Sequence, residues 1–140
     1  MGKIVALDFG LKRTGLALSD ESRQFAFGYK TVESKSLITF LIDLIAKEKI
    51  DTIVIGLPKR LNLEDSHITS NVKLLKEALE KNIDLPIVLY DERFTSKMAS
   101  QSMHESGLSA KKRKNKALVD EISATIILQS YIASQSSEFN

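Results

Sequence analysis

Ile4-Val5-Ala6-Leu7-Asp8-Phe9-Gly10-Leu11-Lys12-Arg13-Thr14-Gly15-Leu16-Ala17-Leu18-Ser19 begins with an apolar run and meets a carboxylate just before a turn. An uninterrupted apolar run of this length predicts a strand covered on both faces. Residues 10–15, with glycine at either end, predict a turn, and residues 16–19 a second strand that returns as a hairpin partner. Asp8 then stands at the border of a dry region. An unpaired carboxylate there costs several kcal/mol. A cation, a hydrogen-bonded turn or a bound metal has to accompany it.

The pattern continues outward from this hairpin. Residues 24–32 alternate through Phe25, Phe27, Tyr29 and Thr31, which predicts a third strand with one covered face. Ser34 or Ser36 is a candidate cap for a helix reaching about Lys49, with Leu37, Leu41, Leu44 and Ile45 as its apolar stripe, widened by Ile38, Phe40 and Ile42. Residues 51–56 predict a short buried strand, broken at Leu57-Pro58, and residues 59–67 a polar loop. A helix over 68–81 turns Val72, Leu74, Leu75, Ala78 and Leu79 inward. Residues 86–90 form another buried strand, closed by Asp91-Glu92-Arg93. Thr95 or Ser96 caps a helix to about Glu105, and the last helix runs from about Ala117 to Ala133. The order β-β-β-α-β-α-β-α-α describes an α/β fold: a three-strand antiparallel meander joined to parallel strands, five in all, flanked by helices. Residues 1–134 form one domain and 135–140 a frayed tail.

Composition narrows the class. The chain has 140 residues, 43% hydrophobic and 27% charged, as expected of one globular domain with a core. No apolar run approaches the ~20 residues that span a bilayer. No signal peptide is visible, so the expected location is cytoplasmic. Cysteine is absent, which excludes disulfide and thiolate chemistry. The net charge of +2 decides nothing, but Lys111-Lys112-Arg113-Lys114-Asn115-Lys116 concentrates cations just before the last helix.

Three acids stand where helices and strands should gather. Asp8 ends the first strand, Glu92 follows the fifth, and Asp120 falls in the first turn of the last helix. Open α/β sheets bind ligands beyond the carboxyl ends of their strands. Asp120, Ser123, Ala124, Ile127 and Tyr131 share one helical face, and small Ser123 and Ala124 allow close packing beside Asp120. Converging carboxylates repel one another unless a cation lies between them. Mg²⁺ or Mn²⁺ prefers such oxygen ligands, and sites of this kind cleave phosphodiesters. With two histidines and no cysteine, zinc is disfavoured. Each acid also has a plainer reading: Asp8 bonded to turn amides, Glu92 in a surface ion pair, Asp120 complementing a helix dipole.

Four ordered motifs resemble one family. Asp8-Phe9-Gly10-Leu11-Lys12-Arg13-Thr14-Gly15-Leu16-Ala17 is similar to D-x-G-x-K-R-x-G-x-A, and Ile55-Gly56-Leu57-Pro58 to V-G-L-P. Asp91-Glu92-Arg93-Phe94-Thr95 is similar to D-E-R-x-[ST]. Asp120 through Tyr131 is similar to D-x-x-A-A-x-x-I-L-Q-x-Y. The chain resembles the YqgF/RuvX family of RNase H-like proteins, described as Holliday-junction-type resolvases and pre-16S ribosomal RNA nucleases. Ser123 departs from the alanine pair. Asn62-Leu63-Glu64-Asp65-Ser66-His67 lacks the glycines common in that loop, so no substrate contact is carried over from it.

The resemblance implies an RNase H-like fold and a Mg²⁺- or Mn²⁺-dependent endonuclease. Its metal-binding catalytic acids would be Asp8, Glu92 and Asp120, with Lys12, Arg13 and Arg93 contacting phosphate. It also implies action at the 5′ end of pre-16S ribosomal RNA. The partners it suggests are structured RNA, branched DNA and a pre-ribosomal particle, met as a monomer or weak homodimer and without a membrane. Lys12 and Arg13 suit a scissile phosphate by position, and Lys111, Lys112, Arg113 and Lys114 suit a polynucleotide backbone. Two further readings stand beside a nuclease. Asp8-Phe9-Gly10 with Thr14-Gly15 also resembles the first phosphate loop of actin-like ATPases, which need a second lobe that 140 residues do not supply. A non-catalytic RNA-binding assembly factor is the other. His67 and His104 read as surface residues, Phe25, Phe27, Tyr29 and Phe40 as core, and Thr95 as a helix cap.

Overall fold

The computed structural model describes residues 2–57, 63–91 and 116–137. Its elements are β1 (Lys3–Phe9), β2 (Arg13–Ser19), β3 (Ala26–Glu33), a 3-10 turn (Ser34–Ser36), α1 (Leu37–Glu48), β4 (Ile50–Leu57), α2 (Leu63–Asn82), β5 (Ile87–Asp91) and α3 (Lys116–Ser137). The expected helix over 95–105 with its Thr95 or Ser96 cap, and His104, lie outside the described residues.

The strands form one sheet in the order β3-β2-β1-β4-β5. β1 pairs antiparallel with β2 and β2 with β3, while β1–β4 and β4–β5 are parallel. This is the expected meander joined to parallel strands. The carboxyl ends of β1, β4 and β5 therefore share one rim with the start of β2 and the end of β3.

The apolar run of β1 is buried because both faces of the sheet are roofed. Val5 and Leu7 enter a core with Leu16, Ile53 and Ile55 of the sheet, Leu37, Leu41 and Leu44 of α1, and Val72, Leu75 and Leu79 of α2. Ile4 and Ala6 face the other way, into Ala17, Val54, Ala124, Ile127, Leu128 and Ile132. Two helices cover the first face and α3 covers the second. Full burial of one leucine is worth about 1.5–3 kcal/mol, so these alternating contacts hold the hairpin in register.

Several details differ from the sequence reading. α2 starts at Leu63, so residues 63–67 are helical rather than loop. In sequence that stretch carries no apolar stripe that would mark it as helix. Phe25 and Phe27 are not core: they are 60% and 57% exposed. β3 is an edge strand, and Tyr29 is the aromatic that reaches α1, its ring 6.4 Å from Phe40. Alternation marks which face a residue is on but not how far a helix extends over that face. Leu74 and Ile42 are likewise exposed. Ser36 occupies the N-cap of α1 without a side-chain bond. At its other end α1 stops at left-handed Lys49, φ 55, whose N–H bonds the Ile45 carbonyl. α3 continues to Ser137, past the end that the apolar pattern predicts.

Candidate active site

The turn after Asp8 is built rather than loose. Gly10 N–H bonds Arg13 O at 2.9 Å, and Ser34 N–H bonds Lys12 O at 2.9 Å. The Ser34 hydroxyl donates to Gly10 O at 2.5 Å, and Thr14 Oγ1 lies 2.9 Å from it. Ser34, expected as a helix cap, instead ties the start of the 3-10 turn to this loop. A Cβ on Gly10 would lie 2.7 Å from Arg13 O, so the turn needs glycine there. Lys12 is exposed at its tip.

Asp8 pairs in register with Gly15 of β2. Ile4 and Ala6 of the same strand face α3, so alternation puts Asp8 on that face too. It is half-buried, not dry like the four residues before it. A Cβ on Gly15 would sit 2.2 Å from Asp120 O and 2.9 Å from Asp120 Cβ. The backbone of α3 thus rests directly on Gly15, with Asp120 over it and Asp8 beside it in the sheet. A second glycine repeats the device: a Cβ on Gly28 would meet Thr125 Oγ1 at 3.2 Å and Glu121 Cβ at 3.7 Å. The sequence reading credits the close approach to Ser123 and Ala124. Ala124 is fully buried, but the glycines of the sheet set the contact. Glycine inside a strand often marks such a backbone approach, and that signal was available.

Asp120 is the fifth residue of α3, beyond the first turn, where a helix-dipole role would have faded. Its Oδ2 instead accepts from Arg13 Nε at 3.1 Å. The two side chains are 24% and 35% exposed. Glu33, opposite Arg13 across β2–β3, pairs with Lys35 at 3.3 Å. Glu121, which the sequence reading did not single out, accepts from Thr31 Oγ1 at 3.4 Å. At the far side of the sheet, Tyr90 OH lies 2.7 Å from Ser130 Oγ and the ring meets Tyr131 edge-on at 5.9 Å. These contacts seat β5 against α3. β5 runs to Asp91, the residue before Glu92.

Asp8, Arg13 and Asp120 are thus brought to one rim and one face. Glu92, Arg93, Lys111, Lys112, Arg113 and Lys114 lie outside the described residues, as does Asn62. Among the described residues no cluster of three or more His, Asp or Glu forms a metal site. Two hard-oxygen donors beside a cation can hold a divalent ion or face a phosphate. Among the described residues no helix is long and apolar enough to cross a membrane.

Solved structures similar to this sheet-and-helix arrangement include resolvases with the RNase H-like fold. The Fowlpox virus resolvase in complex with its substrate Holliday junction DNA has a TM-score of 0.59 at 13% identity, covering 95% of this chain and 98% of that one. T. thermophilus RuvC in complex with a Holliday junction substrate has a TM-score of 0.58 at 12% identity, covering 98% and 97%. The RuvX family, described as Holliday junction resolvase, matches residues 2–134, and this chain belongs to it. A relative from Bacteroides thetaiotaomicron, named "Putative pre-16S rRNA nuclease", is 48% identical over 136 residues, covering 96% of this chain and 99% of the relative. One of the same name from Christiangramia forsetii is 49% identical over 133 residues, covering 94% and 98%.

Proposed function

We propose that this protein is a divalent-metal-dependent endonuclease that hydrolyses phosphodiester bonds during maturation of the 5′ end of pre-16S ribosomal RNA. The observation that carries the site is that Asp8 is the strand partner of Gly15, Asp120 rests on Gly15, and Arg13 bonds Asp120. The relatives' name, over nearly the full length of both chains, supports the substrate class.

Asp8, Glu92 and Asp120 would hold Mg²⁺ or Mn²⁺. The donor chemistry fits, since Asp8 and Asp120 are carboxylates on one face and such ions take hard oxygen ligands. When bound, such an ion activates water and stabilises charge at phosphorus. The chain's own cations bind and orient the substrate. Lys12, exposed at the turn tip, and Arg13 take phosphate oxygens near the acids, with Arg93 alongside. Lys111, Lys112, Arg113 and Lys114 follow the polynucleotide backbone through salt-sensitive contacts. The protein acts in the cytoplasm, on structured RNA within a pre-ribosomal particle. A second reading, resolution of four-way DNA junctions, is favoured by the description of the family.

Cleavage of a precursor ribosomal RNA and a four-way DNA junction, side by side in Mg²⁺, Mn²⁺ and EDTA, tests both readings. RNA cutting that requires the ion and is lost in Asp8→Asn supports the first. Junction cutting alone moves the substrate to DNA. Binding without cutting of either, under every ion, replaces both with a non-catalytic RNA-binding role.

A further inference from the structure

Arginine carries a fork of five N–H donors, and it can serve two anions at once because its Nε and its terminal amino groups face different edges of one rigid plane. Arg13 uses only Nε on Asp120. Among the described residues neither terminal amino group of Arg13 makes a hydrogen bond or an ion pair, although Glu33 stands directly across the strand pair. The side chain is one-third exposed, so those amino groups are accessible. The turn that launches Arg13 is held by Gly10 and Ser34, and α3, which carries Asp120, is seated on Gly15. Both ends of the pair are therefore fixed by backbone contacts.

Resting on the nuclease reading above, we infer that Arg13 is a positioning residue that couples the acidic site to the substrate. Its Nε sets the orientation of the Asp120 carboxylate, leaving Oδ1 for a divalent ion, while its terminal amino groups take two oxygens of one phosphate. A bound phosphate and an ordered carboxylate then share one rigid guanidinium. This departs from treating Arg13 as a phosphate contact like Lys12. Lys12, at the exposed turn tip, is a point charge that pairs with no carboxylate among the described residues. Lysine at position 13 could meet the phosphate, but its rotatable ammonium lacks the rigid fork that would fix the Asp120 carboxylate in one orientation.

The full-length protein, Arg13→Lys and Arg13→Gln are compared by two readouts that do not use turnover. The first is Mn²⁺ affinity without RNA, followed by electron paramagnetic resonance. The second is affinity for precursor RNA in EDTA over a series of salt concentrations. Arg13→Gln is expected to weaken Mn²⁺ binding by about tenfold, as loss of a group that orients a metal-bound carboxylate does. It should also lower the salt slope of RNA binding by about one phosphate contact. Arg13→Lys is expected to restore the salt slope but not the Mn²⁺ affinity. That split is the signature of two roles. If Arg13→Lys matches the wild type in both readouts, or if Arg13→Gln tightens Mn²⁺ binding, the coupling role is overturned while a metal-binding wild type keeps the nuclease reading. A wild type that binds no Mn²⁺ and cuts nothing overturns that reading itself.

Discussion

Two arginine–aspartate pairs sit at opposite rims of the sheet and are built differently. At the rim away from the acids, Arg23 pairs with Asp51, donates Nε to Gly2 O at 3.0 Å and reaches Thr52 Oγ1 at 3.5 Å. Arg23 has φ 58, a left-handed conformation that costs a non-glycine residue about 1–3 kcal/mol. The neighbouring carboxylate offsets that cost: Asp20 accepts from Gln24 N–H at 2.9 Å, Phe25 N–H at 3.0 Å and the Ser22 hydroxyl. Arg23 ties the β2–β3 loop to the starts of β1 and β4. Among the described residues the Arg13 side chain instead bonds only Asp120. A structural arginine spends its donors on the fold, whereas one beside a candidate site keeps donors available.

The sharpest way to break this contrast is to move the floor under Asp120. Gly15→Ala places a methyl against the Asp120 carbonyl and should destabilise the protein by about 3 kcal/mol, the upper end of overpacking costs. Urea denaturation reads the loss, and cleavage should fall with it because α3 must lift. Gly28→Ala, with more room, should cost less in the same assay.

Exchanging the two arginines' roles comes next. Arg23→Ala should lower stability by about 1 kcal/mol, as expected for a partly exposed ion pair with added hydrogen bonds, and leave cleavage unchanged. Arg13→Gln should stay within about 0.5 kcal/mol of wild-type stability yet reduce cleavage about tenfold. Thermal melts and single-turnover assays on both variants would refute the distinction if both lost stability alone.

The smallest effect is electrostatic. Hydrogen bonds from Ser22 and the amides of Phe25 and Gln24 hold the Asp20 carboxyl down at about 2, below its ordinary 3.8. A depressed pKa stabilises the fold above the unfolded value, and that contribution is lost as pH falls from about 4 through 2. Glu48, lowered by its bond to Lys3, adds in the same direction. Lys3, raised by Glu48, contributes below its ordinary pKa and loses that contribution at alkaline pH. Asp20→Asn should flatten the acid limb of a stability–pH curve while sparing the Asp120 rim. An unchanged acid limb would remove Asp20 from the account.

Local pattern made much of this legible. Four apolar residues in a row demand cover on both faces, so β1 at the middle of a two-sided sheet follows from Ile4 to Leu7. The spacing of Leu37, Leu41 and Leu44 defines the α1 stripe that enters the core. Asp8 stood out because a carboxylate bordering such a run needs an explanation. Phe25, Phe27 and Leu74 misled for one reason: alternation and helical period report a face, whereas burial depends on which neighbour reaches it.

By itself, then, the sequence determined the order of the elements, the strand-end position of Asp8 and the class of chemistry that three carboxylates and no cysteine allow. Those are consequences of periodicity and side-chain chemistry, which act over a few residues. Only the tertiary structure decided that Gly15 and Gly28 admit α3 onto the sheet, and that Asp120 lies beside Asp8 rather than serving its own helix end. It alone decided that Arg13 is shared with Asp120. These contacts join residues about a hundred positions apart, and their close approach depends on missing side-chain volume rather than on any side chain that a local pattern displays.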